Sequence, residues 1–360
     1  MDVLIAGGGT GGHLFPGIAL AQELRRREPD SRILFVGSPR GIEVTAVPKA
    51  GFDLELLPVS GLRGMGIKGR LLGLLRLPIS LLKAFWVVWR FRPQLAVSCG
   101  GYAAGPAVLV ARLLGIPCVV LEQNAVPGTT NRILGHLATR IIAALPIEGF
   151  TPEKVAVLGN PVRSRFLEVR ERPYSVGDKR HLLVFGGSQG ARALNEAMMK
   201  LAPLLAQADF PVTLLHQTGQ ADLERVRQEY DRAGFEGASV VPFIDDMATA
   251  YSTADLILCR AGATTIAEVT VCGRPMIMVP FPYAVDDHQT KNARTVEESG
   301  GGICLPQPEL SAERLMDIFR ELFGDSNKLE AMASNCRALG KPHAVSDIAD
   351  ALEQEVSRVS

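Results

Sequence analysis

Short, uninterrupted apolar runs recur along the whole chain, and most of them are followed by glycine and then by a helical pattern. Uninterrupted apolar runs are typical of parallel strands covered on both faces, because crossover helices lie on both sides of such a sheet. The pattern therefore predicts an α/β fold. The predicted strands span residues 3–6, 33–36, 95–98, 118–121, 182–185, 212–216, 256–259 and 276–279.

The two halves of the chain open in the same way. Residues 3–13 read Val-Leu-Ile-Ala-Gly-Gly-Gly-Thr-Gly-Gly-His, and residues 182–192 read Leu-Leu-Val-Phe-Gly-Gly-Ser-Gln-Gly-Ala-Arg. A length of 360 residues also favours two domains. We predict two Rossmann-like, doubly wound parallel-sheet domains that face each other across a cleft. Turn residues near position 160 place the boundary there, giving domains 1–160 and 161–341 and a C-terminal helix, about 342–360, that packs back on the first domain.

Composition excludes several classes of protein. The 38 basic and 38 acidic residues balance, which argues against a nucleic-acid binder. The six cysteines include no C-x-x-C pair, so we interpret them as reduced, buried thiols of a cytosolic protein. The apolar run at the N-terminus is too short for a signal peptide. The candidate membrane span over residues 71–91 is interrupted by charged residues and proline, so it is not expected to cross a bilayer.

Glycine loops follow strands at equivalent places in the two halves, over residues 7–12 and 186–190. Such loops place backbone N–H groups at the positive end of a helix, which suits a phosphate. The first loop matches G-x-G-x-x-G, but a dinucleotide enzyme would also carry an acid at the end of the second strand, and here that strand ends Val36-Gly37-Ser38. We interpret the loops, with a third over residues 99–106, as lining a crevice for two phosphate-bearing ligands. The alternative is that the glycines only permit tight turns.

Residues 261–268, Ala-Gly-Ala-Thr-Thr-Ile-Ala-Glu, follow another predicted strand. A helix that begins near Thr265 would offer Thr264, Thr265 and free N–H groups to a diphosphate, and Glu268 would accept from both hydroxyls of a ribose. The same Thr265-x-x-Glu268 spacing is also a capping box that needs no ligand. Spacing alone leaves both interpretations open.

Seven motifs occur in order between residues 7 and 293: Gly7-Gly-Gly-Thr-Gly-Gly-His13-Leu-Phe-Pro16, Glu122-Gln-Asn124, Gly159-Asn-Pro-Val-Arg163, Gly186-Gly-Ser-Gln-Gly-Ala-Arg192, Phe243-Ile-Asp-Asp-Met247, Cys259-Arg-Ala-Gly-Ala-Thr-Thr-Ile-Ala-Glu268 and Asp287-His-Gln-Thr-Lys-Asn-Ala293. Together they resemble the MurG family, the cell-wall glycosyltransferases of family 28 that convert lipid I to lipid II. His288 is a departure, since some members carry a second glutamine there.

The resemblance implies a GT-B fold and inverting transfer of N-acetylglucosamine (GlcNAc) from UDP-GlcNAc to the C4 hydroxyl of MurNAc in undecaprenyl-pyrophosphoryl-MurNAc-pentapeptide. The first domain would bind the acceptor and the second the donor. By motif position, Ile244 would meet the uracil, Glu268 the ribose and Gln289 the sugar, with Ser188 and the turn formed by Ala263, Thr264, Thr265, Ile266 and Ala267 at the diphosphate. On the other side of the donor, the residues that close over it would be Asn124, Arg163 and the turn formed by Thr10, Gly11 and Gly12.

The proposed chemistry needs a base and a stabilised leaving group. His13 directly follows the first glycine loop, and an unperturbed imidazole, with a pKa of about 6.5, suits proton removal near neutral pH. We predict that His13 is the base; the alternative is that it only binds the loop or orients the substrate. Glu122 is the rival base, or the partner that orients His13. No D-x-D sequence is present to hold a metal, so no metal or other cofactor is expected to be essential, and Arg163 and helix N-termini would neutralise the diphosphate.

One stretch of the chain is strongly basic. Residues 56–121 contain eight Lys or Arg and no Asp or Glu, and both tryptophans of the chain lie there. Basic and aromatic residues on an amphipathic segment suit an anionic bilayer surface. We predict peripheral association with the cytoplasmic face of the inner membrane through Arg70, Arg76, Lys83, Phe85, Trp86 and Trp89. The alternative is an ordinary core helix with a solvated basic face.

Two other functions remain compatible with these patterns. The chain could be another GT-B enzyme on UDP-GlcNAc, an epimerase or a diacylglycerol glycosyltransferase, or a nucleotide-binding membrane adaptor without chemistry. The Gly-Gly-Thr-Gly-Gly-His element argues against the adaptor. The expected partners are UDP-GlcNAc, lipid I, an anionic phospholipid surface and other cell-wall synthesis and division proteins, with no nucleic acid.

Overall fold

The computed structural model describes residues 1–9, 11–59 and 67–358, and for residues 67–76 the backbone alone. Thr10 and the side chains of Arg70 and Arg76 therefore lie outside the described residues. The chain divides into two compact units, Met1–Val162 together with His343–Ser360, and Arg163–Pro342. Each unit contains one sheet in which every strand pairing is parallel. The predicted α/β class is confirmed.

The first unit has a seven-stranded sheet in the order β3-β2-β1-β4-β5-β6-β7. Its strands are β1 Val3–Gly7, β2 Ile33–Gly37, β3 Asp53–Leu56, β4 Leu95–Gly100, β5 Cys118–Glu122, β6 Arg140–Ala143 and β7 Val155–Val157. Its helices before the second unit are α1 Gly11–Arg27, α2 Glu43–Lys49, α3 Ile67–Phe91, α4 Ala104–Leu113 and α5 Thr129–Leu137. The strand order reverses between β1 and β4, and a ligand crevice is expected at the carboxyl ends of strands at such a point.

The second unit has a six-stranded sheet in the order β10-β9-β8-β11-β12-β13. Its strands are β8 Arg180–Phe185, β9 Val212–Gln217, β10 Ala238–Val241, β11 Leu256–Cys259, β12 Met276–Met278 and β13 Gly302–Cys304. Its helices are α6 Ser164–Arg170, α7 Arg192–Ala206, α8 Leu223–Arg232, α9 Met247–Thr253, α10 Ala263–Cys272, α11 His288–Glu298, α12 Ala312–Phe323 and α13 Ser326–Leu339. Here the order reverses between β8 and β11.

The last helix, α14 Ala344–Ser357, packs on α1 in the first unit. Its apolar face, with Ile348 and Leu352 almost fully buried, joins the core beneath α1. Arg27 at the end of α1 makes ion pairs with Asp350 and Glu353 of α14. A fully buried Leu or Ile contributes about 1.5–3 kcal/mol, whereas exposed ion pairs contribute about 0–1 kcal/mol. Apolar burial therefore holds this helix in place.

Two cores lie on opposite faces of the first sheet, since successive side chains of a strand point to opposite sides. Val119 and Leu121 of β5 belong to the core under α1 and α14, whereas Cys118 and Val120 belong to the core under α3 and α4. All six cysteines of the chain are buried and none forms a disulfide, which confirms their interpretation as buried thiols.

The exposed side of α3 is apolar and aromatic. Leu82, Phe85, Trp86 and Trp89 are 72%, 47%, 49% and 57% exposed. Their spacing places them on one face of the helix, and the opposite face packs into the core through residues such as Val87. These four side chains are therefore not part of the core, and Lys83 and Arg90 are exposed on the same helix. Among the described residues, no helix is both long and apolar enough to span a bilayer.

Candidate active site

A buried carboxylate fastens the first glycine loop. Glu43, the first residue of α2, is fully buried. Its Oε2 accepts a hydrogen bond from the Gly9 N–H at 2.9 Å, and its Oε1 accepts from the Ser38 N–H and hydroxyl, both at 2.8 Å. Burial acts to raise the pKa of this carboxyl, but the hydrogen bonds from Gly9 and Ser38 outweigh it and the pKa is lowered. The Gly9 N–H is thus bound within the protein, not offered to a phosphate.

Glu43 also explains why residues 8 and 41, which lie against its carboxylate, are glycines. A Cβ on Gly8 would lie 2.3 Å from Glu43 Oε1, and one on Gly41 would lie 1.9 Å from Glu43 Oε2. The end of β2 carries no acid, as the sequence shows. The nearby acid is Glu43 on the next helix, which binds the glycine loop through Oε2 and Ser38, after β2, through Oε1.

His13 lies in the first turn of α1, directly after Gly11 and Gly12. Its Nδ1 is 3.1 Å from Oε1 of Gln123, the residue that follows β5. The ring also lies against Gly100 at the end of β4, since a Cβ there would be 3.0 Å from His13 Nδ1. The first turn of α1, the end of β4 and the residue after β5 therefore meet at this imidazole.

Glu122 does not contact His13. The side chain is almost fully buried, and its Oε1 accepts hydrogen bonds from the N–H and the side-chain amide of Asn124 at 3.0 and 3.3 Å. Its Oε2 accepts from the Gly128 N–H at 3.1 Å and from Asn131 Nδ2 at 3.0 Å. The prediction that Glu122 orients His13 is therefore wrong. Both oxygens of this carboxylate already accept two hydrogen bonds each, which disfavours Glu122 as a base. These hydrogen bonds instead hold the loop that follows β5 in place.

In the second unit, α10 begins at Ala263 with Gly262 as its N-cap, and no side chain caps it. The helix thus starts earlier than the expected position near Thr265, and the Thr265-x-x-Glu268 capping box does not form. Free N–H groups in the first turn of a helix, with its positive dipole end, suit a diphosphate. The buried Thr264 hydroxyl at this terminus has no hydrogen-bond partner among the described residues.

Glu268 lies one turn further along α10, and its side chain is 13% exposed. Its Oε2 accepts a hydrogen bond from the Tyr251 hydroxyl at 3.1 Å, and Arg163 Nη2 lies 3.6 Å from Oε1. Burial raises the pKa of this carboxyl to about 7, and Arg163 and Tyr251 only partly offset it. Arg163 belongs to the second unit and lies beside Glu268.

The second glycine loop joins β8 to α7 and carries the exposed Ser188. Gly190 in this loop has a φ of +74°, and a Cβ there would lie 1.9 Å from the Thr218 carbonyl oxygen after β9. Only glycine permits this approach of two backbones. Because β8 pairs in parallel with β11, the loop that carries Ser188 and the N-terminus of α10 follow the carboxyl ends of neighbouring strands.

Two other predicted donor residues follow the same edge of the second sheet. Ile244 is partly buried in the loop between β10 and α9. Gln289, in the first turn of α11, accepts a hydrogen bond from the Phe281 N–H at 2.9 Å through its Oε1. The Asn292 side-chain amide donates to the Ala261 carbonyl at 3.2 Å, which ties α11 to the segment before α10. Asp287, ahead of α11, has a left-handed φ of 52°, a conformation that costs energy for a residue other than glycine.

Comparison with known proteins gives the family. Residues 3–143 match the glycosyltransferase family 28 N-terminal domain, and residues 181–352 match the C-terminal domain of the same family. The chain belongs to glycosyltransferase family 28. Two similar relatives carry the name UDP-N-acetylglucosamine--N-acetylmuramyl-(pentapeptide) pyrophosphoryl-undecaprenol N-acetylglucosamine transferase. The one from Syntrophus aciditrophicus is 45% identical over 97% of both chains. The one from Anaeromyxobacter sp. strain K is 46% identical over 99% of this chain and 94% of its own.

Solved structures agree with the family 28 assignment. The crystal structure of Acinetobacter baumannii MurG is 33% identical, covers 98% of this chain and 99% of its own, and superposes with a TM-score of 0.81. A UDP-GlcNAc 2-epimerase from Neisseria meningitidis reaches a TM-score of 0.69 at 14% identity and shows the fold alone. The GT-B fold predicted from the sequence is confirmed, and the chain is a glycosyltransferase.

In this family 28 enzyme, sequence reasoning missed Gln123, Glu43 and Tyr251. Gln123 stands in the motif Glu122-Gln-Asn124 but was given no role, a buried tyrosine carries no motif of its own, and Glu43 left a signal in the glycines that surround it. The described residues contain no group of three or more His, Cys, Asp or Glu side chains that could hold a metal ion.

Proposed function

We propose that this chain transfers GlcNAc from UDP-GlcNAc to the C4 hydroxyl of MurNAc in undecaprenyl-pyrophosphoryl-MurNAc-pentapeptide, with inversion at the anomeric carbon. The full-length relatives named for this transfer support it. The structural observation that carries it is the N-terminus of α10, where an unpartnered Thr264 hydroxyl and the Glu268 carboxylate lie one turn apart on one helix.

The second unit is proposed to bind the donor. The first turn of α10, from Ala263 to Ala267, and Ser188 would donate to the diphosphate, and Glu268 would accept from the ribose hydroxyls. Ile244 would contact the uracil and Gln289 the sugar. Arg163, beside Glu268, adds positive charge near the leaving group. These donors would stabilise the charge that develops on UDP without requiring a metal ion.

The first unit is proposed to bind the acceptor and to supply the base. As the C4 oxygen of the acceptor forms its bond to the anomeric carbon, the bond from that carbon to the diphosphate breaks and UDP leaves with the electron pair. The proton of the attacking hydroxyl passes to His13. One displacement of this kind converts an α-linked donor into a β-linked product. Gly11, Gly12 and Asn124 are proposed to contact the donor, as their motif positions imply.

The test is incubation of the purified chain with UDP-GlcNAc and a lipid I analogue, followed by mass measurement of the product. We expect the acceptor to gain one N-acetylhexosamine and UDP to be released in equal amount, also in the presence of a metal chelator. Release of UDP or of a sugar epimer without a heavier acceptor would support an epimerase instead. Binding of UDP-GlcNAc without any turnover would support the adaptor.

We also propose that the exposed face of α3 binds an anionic bilayer. Leu82, Phe85, Trp86 and Trp89 would enter the interface, with Lys83 among them and the Arg90 guanidinium 5.1 Å from the Trp86 ring centroid. Interfacial aromatic residues combined with basic ones are typical of peripheral membrane binding. Arg70 and Arg76 lie on the same helix and would add to its charge.

Replacing Lys83 with glutamate tests this surface. Each basic residue near an anionic membrane contributes about 1 kcal/mol, so reversing one charge should weaken binding to phosphatidylglycerol vesicles about 10- to 30-fold in a sedimentation assay. The matched control is Lys200→Glu, which reverses an exposed lysine on α7. Equal binding of the two variants, or equal binding to neutral and anionic vesicles, would contradict the proposal.

A further inference from the structure

The proposed base carries a hydrogen bond that constrains its protonation. Oε1 of Gln123 lies 3.1 Å from His13 Nδ1, and Gln123 Nε2 donates to the Leu121 carbonyl oxygen at 3.3 Å. A carbonyl oxygen only accepts, so the NH₂ group of the amide must face Leu121. The oxygen of the amide must then face the imidazole. An amide oxygen also only accepts, and Nδ1 therefore carries the proton of the neutral ring.

This hydrogen bond leaves the lone pair of the neutral imidazole on Nε2. A general base needs that lone pair within reach of the proton that it removes. A free histidine side chain favours the other tautomer, which carries its proton on Nε2. In that tautomer Nε2 has no lone pair with which to accept a proton. The group that hydrogen-bonds a catalytic histidine and so selects its tautomer is usually a carboxylate or a backbone carbonyl. Here the group is a neutral carboxamide.

The carboxamide is held rigidly. Gln123 is 2% exposed. The Leu121 carbonyl that orients it also accepts a hydrogen bond from Asn131 Nδ2 at 2.9 Å. The Asn131 oxygen in turn accepts from the Ser98 hydroxyl at 2.7 Å. This buried network fixes the segment after β5 independently of His13.

We propose that Gln123 is a positioning residue that selects the Nδ1–H tautomer of His13, so that the lone pair of Nε2 can take the proton of the acceptor hydroxyl. The inference rests on the proposed function, in which His13 is the base. A carboxylate in the same place would stabilise the protonated imidazole, which cannot accept a proton. The carboxamide supplies the orientation without that stabilisation.

The first test compares three variants by steady-state transfer to a lipid I analogue. Gln123→Met removes the acceptor at similar volume and should lower kcat about 10- to 100-fold, with the KM for UDP-GlcNAc within about twofold of the wild type. Gln123→Glu keeps the acceptor and should retain most of kcat at pH 9, with the acid limb of the pH–kcat profile moved up by about one pH unit or more. Gln94→Met is the matched control, since Gln94 is exposed in the same unit and its Oε1 binds the Asp2 N–H.

A purely structural role for Gln123 would give a different pattern. The methionine and glutamate variants would then lose activity together, with lower thermal stability and an unchanged pH profile, and this result would overturn the inference. So would wild-type kcat in Gln123→Met. In a His13→Ala background, Gln123→Met should cause no further loss, because the group that it positions is already gone.

The second test does not use activity. Nitrogen-15 NMR of histidine-labelled protein distinguishes a protonated from an unprotonated ring nitrogen, and His13→Gln identifies the His13 signals. At pH 8 we expect the Nδ1–H tautomer in the wild type and in Gln94→Met, and a shift toward the Nε2–H tautomer in Gln123→Met. An Nε2–H tautomer in the wild type would contradict the inference even if transfer occurs. The Nδ1–H tautomer in a chain that transfers no sugar would instead reject the proposed function.

Discussion

Replacing His13 with alanine should lower kcat for transfer by about 10²- to 10⁴-fold, the range over which general bases contribute. The affinity for UDP should stay within about twofold of the wild type, because the residues proposed to bind the uracil, the ribose and the diphosphate belong to the other compact unit. Product mass measured over time gives kcat, and calorimetric titration with UDP gives the affinity.

The control for this variant is His136→Ala. His136 is exposed in the same unit, and its ring lies 5.6 Å from that of Phe150 rather than near the glycine loops. Its removal should leave turnover unchanged. Near-normal turnover in His13→Ala would exclude this imidazole as the base, and an equal loss in both histidine variants would point to folding rather than chemistry.

Replacing Glu268 with glutamine should weaken UDP binding about 10- to 100-fold at pH 8, because hydrogen bonds to a charged acceptor contribute about 1.5–3 kcal/mol each. Glu298→Gln, on the exposed side of α11, is the matched control and should bind as the wild type does. If the glutamine variant at position 268 binds UDP normally, the ribose is held elsewhere.

The raised pKa of Glu268, about 7, adds a pH signature. Ribose hydroxyls donate to the ionised carboxylate, so the wild-type affinity for UDP should rise with pH up to about 7 and level off above it. The glutamine variant should lack this part of the pH dependence. For stability the sign is opposite: the folded chain holds a proton that the unfolded chain has lost, so this group lowers stability as pH rises from about 4.5 to about 7. Thermal unfolding of the two proteins at pH 5 and pH 8 measures that difference.

The central strands of both sheets could be predicted from the sequence, whereas β6 and the four edge strands β3, β7, β10 and β13 could not. The interior strands β1 and β11 are short apolar runs that are buried on both faces. The edge strand β3 reads Asp-Leu-Glu-Leu and is partly exposed, and β10, at the other sheet's edge, is also partly exposed. A strand with one paired neighbour meets solvent, so its composition resembles that of a loop.

The two glycine loops look alike in sequence but differ in what they offer. In the second unit, α10 presents an uncapped N-terminus and an unpartnered hydroxyl beside the glycine loop. In the first unit, Glu43 places a buried negative charge against the loop and binds one of its amides. The expectation that both loops line a crevice for phosphate-bearing ligands followed from the glycines. The contact that distinguishes the two loops joins Gly9 to Glu43, 34 residues further along the chain.

By itself, the sequence determined the two-unit α/β architecture and the glycosyltransferase family, because strand periodicity and ordered motifs are local properties. Only the tertiary structure decided that Gln123, and not the acidic Glu122, meets His13. Side chains alternate across a strand, so Gln123 continues the row of Val119 and Leu121 toward α1, while Glu122 points to the opposite face with Val120. Which face α1 covers is set by the strand order of the whole sheet, and that order depends on contacts between distant segments.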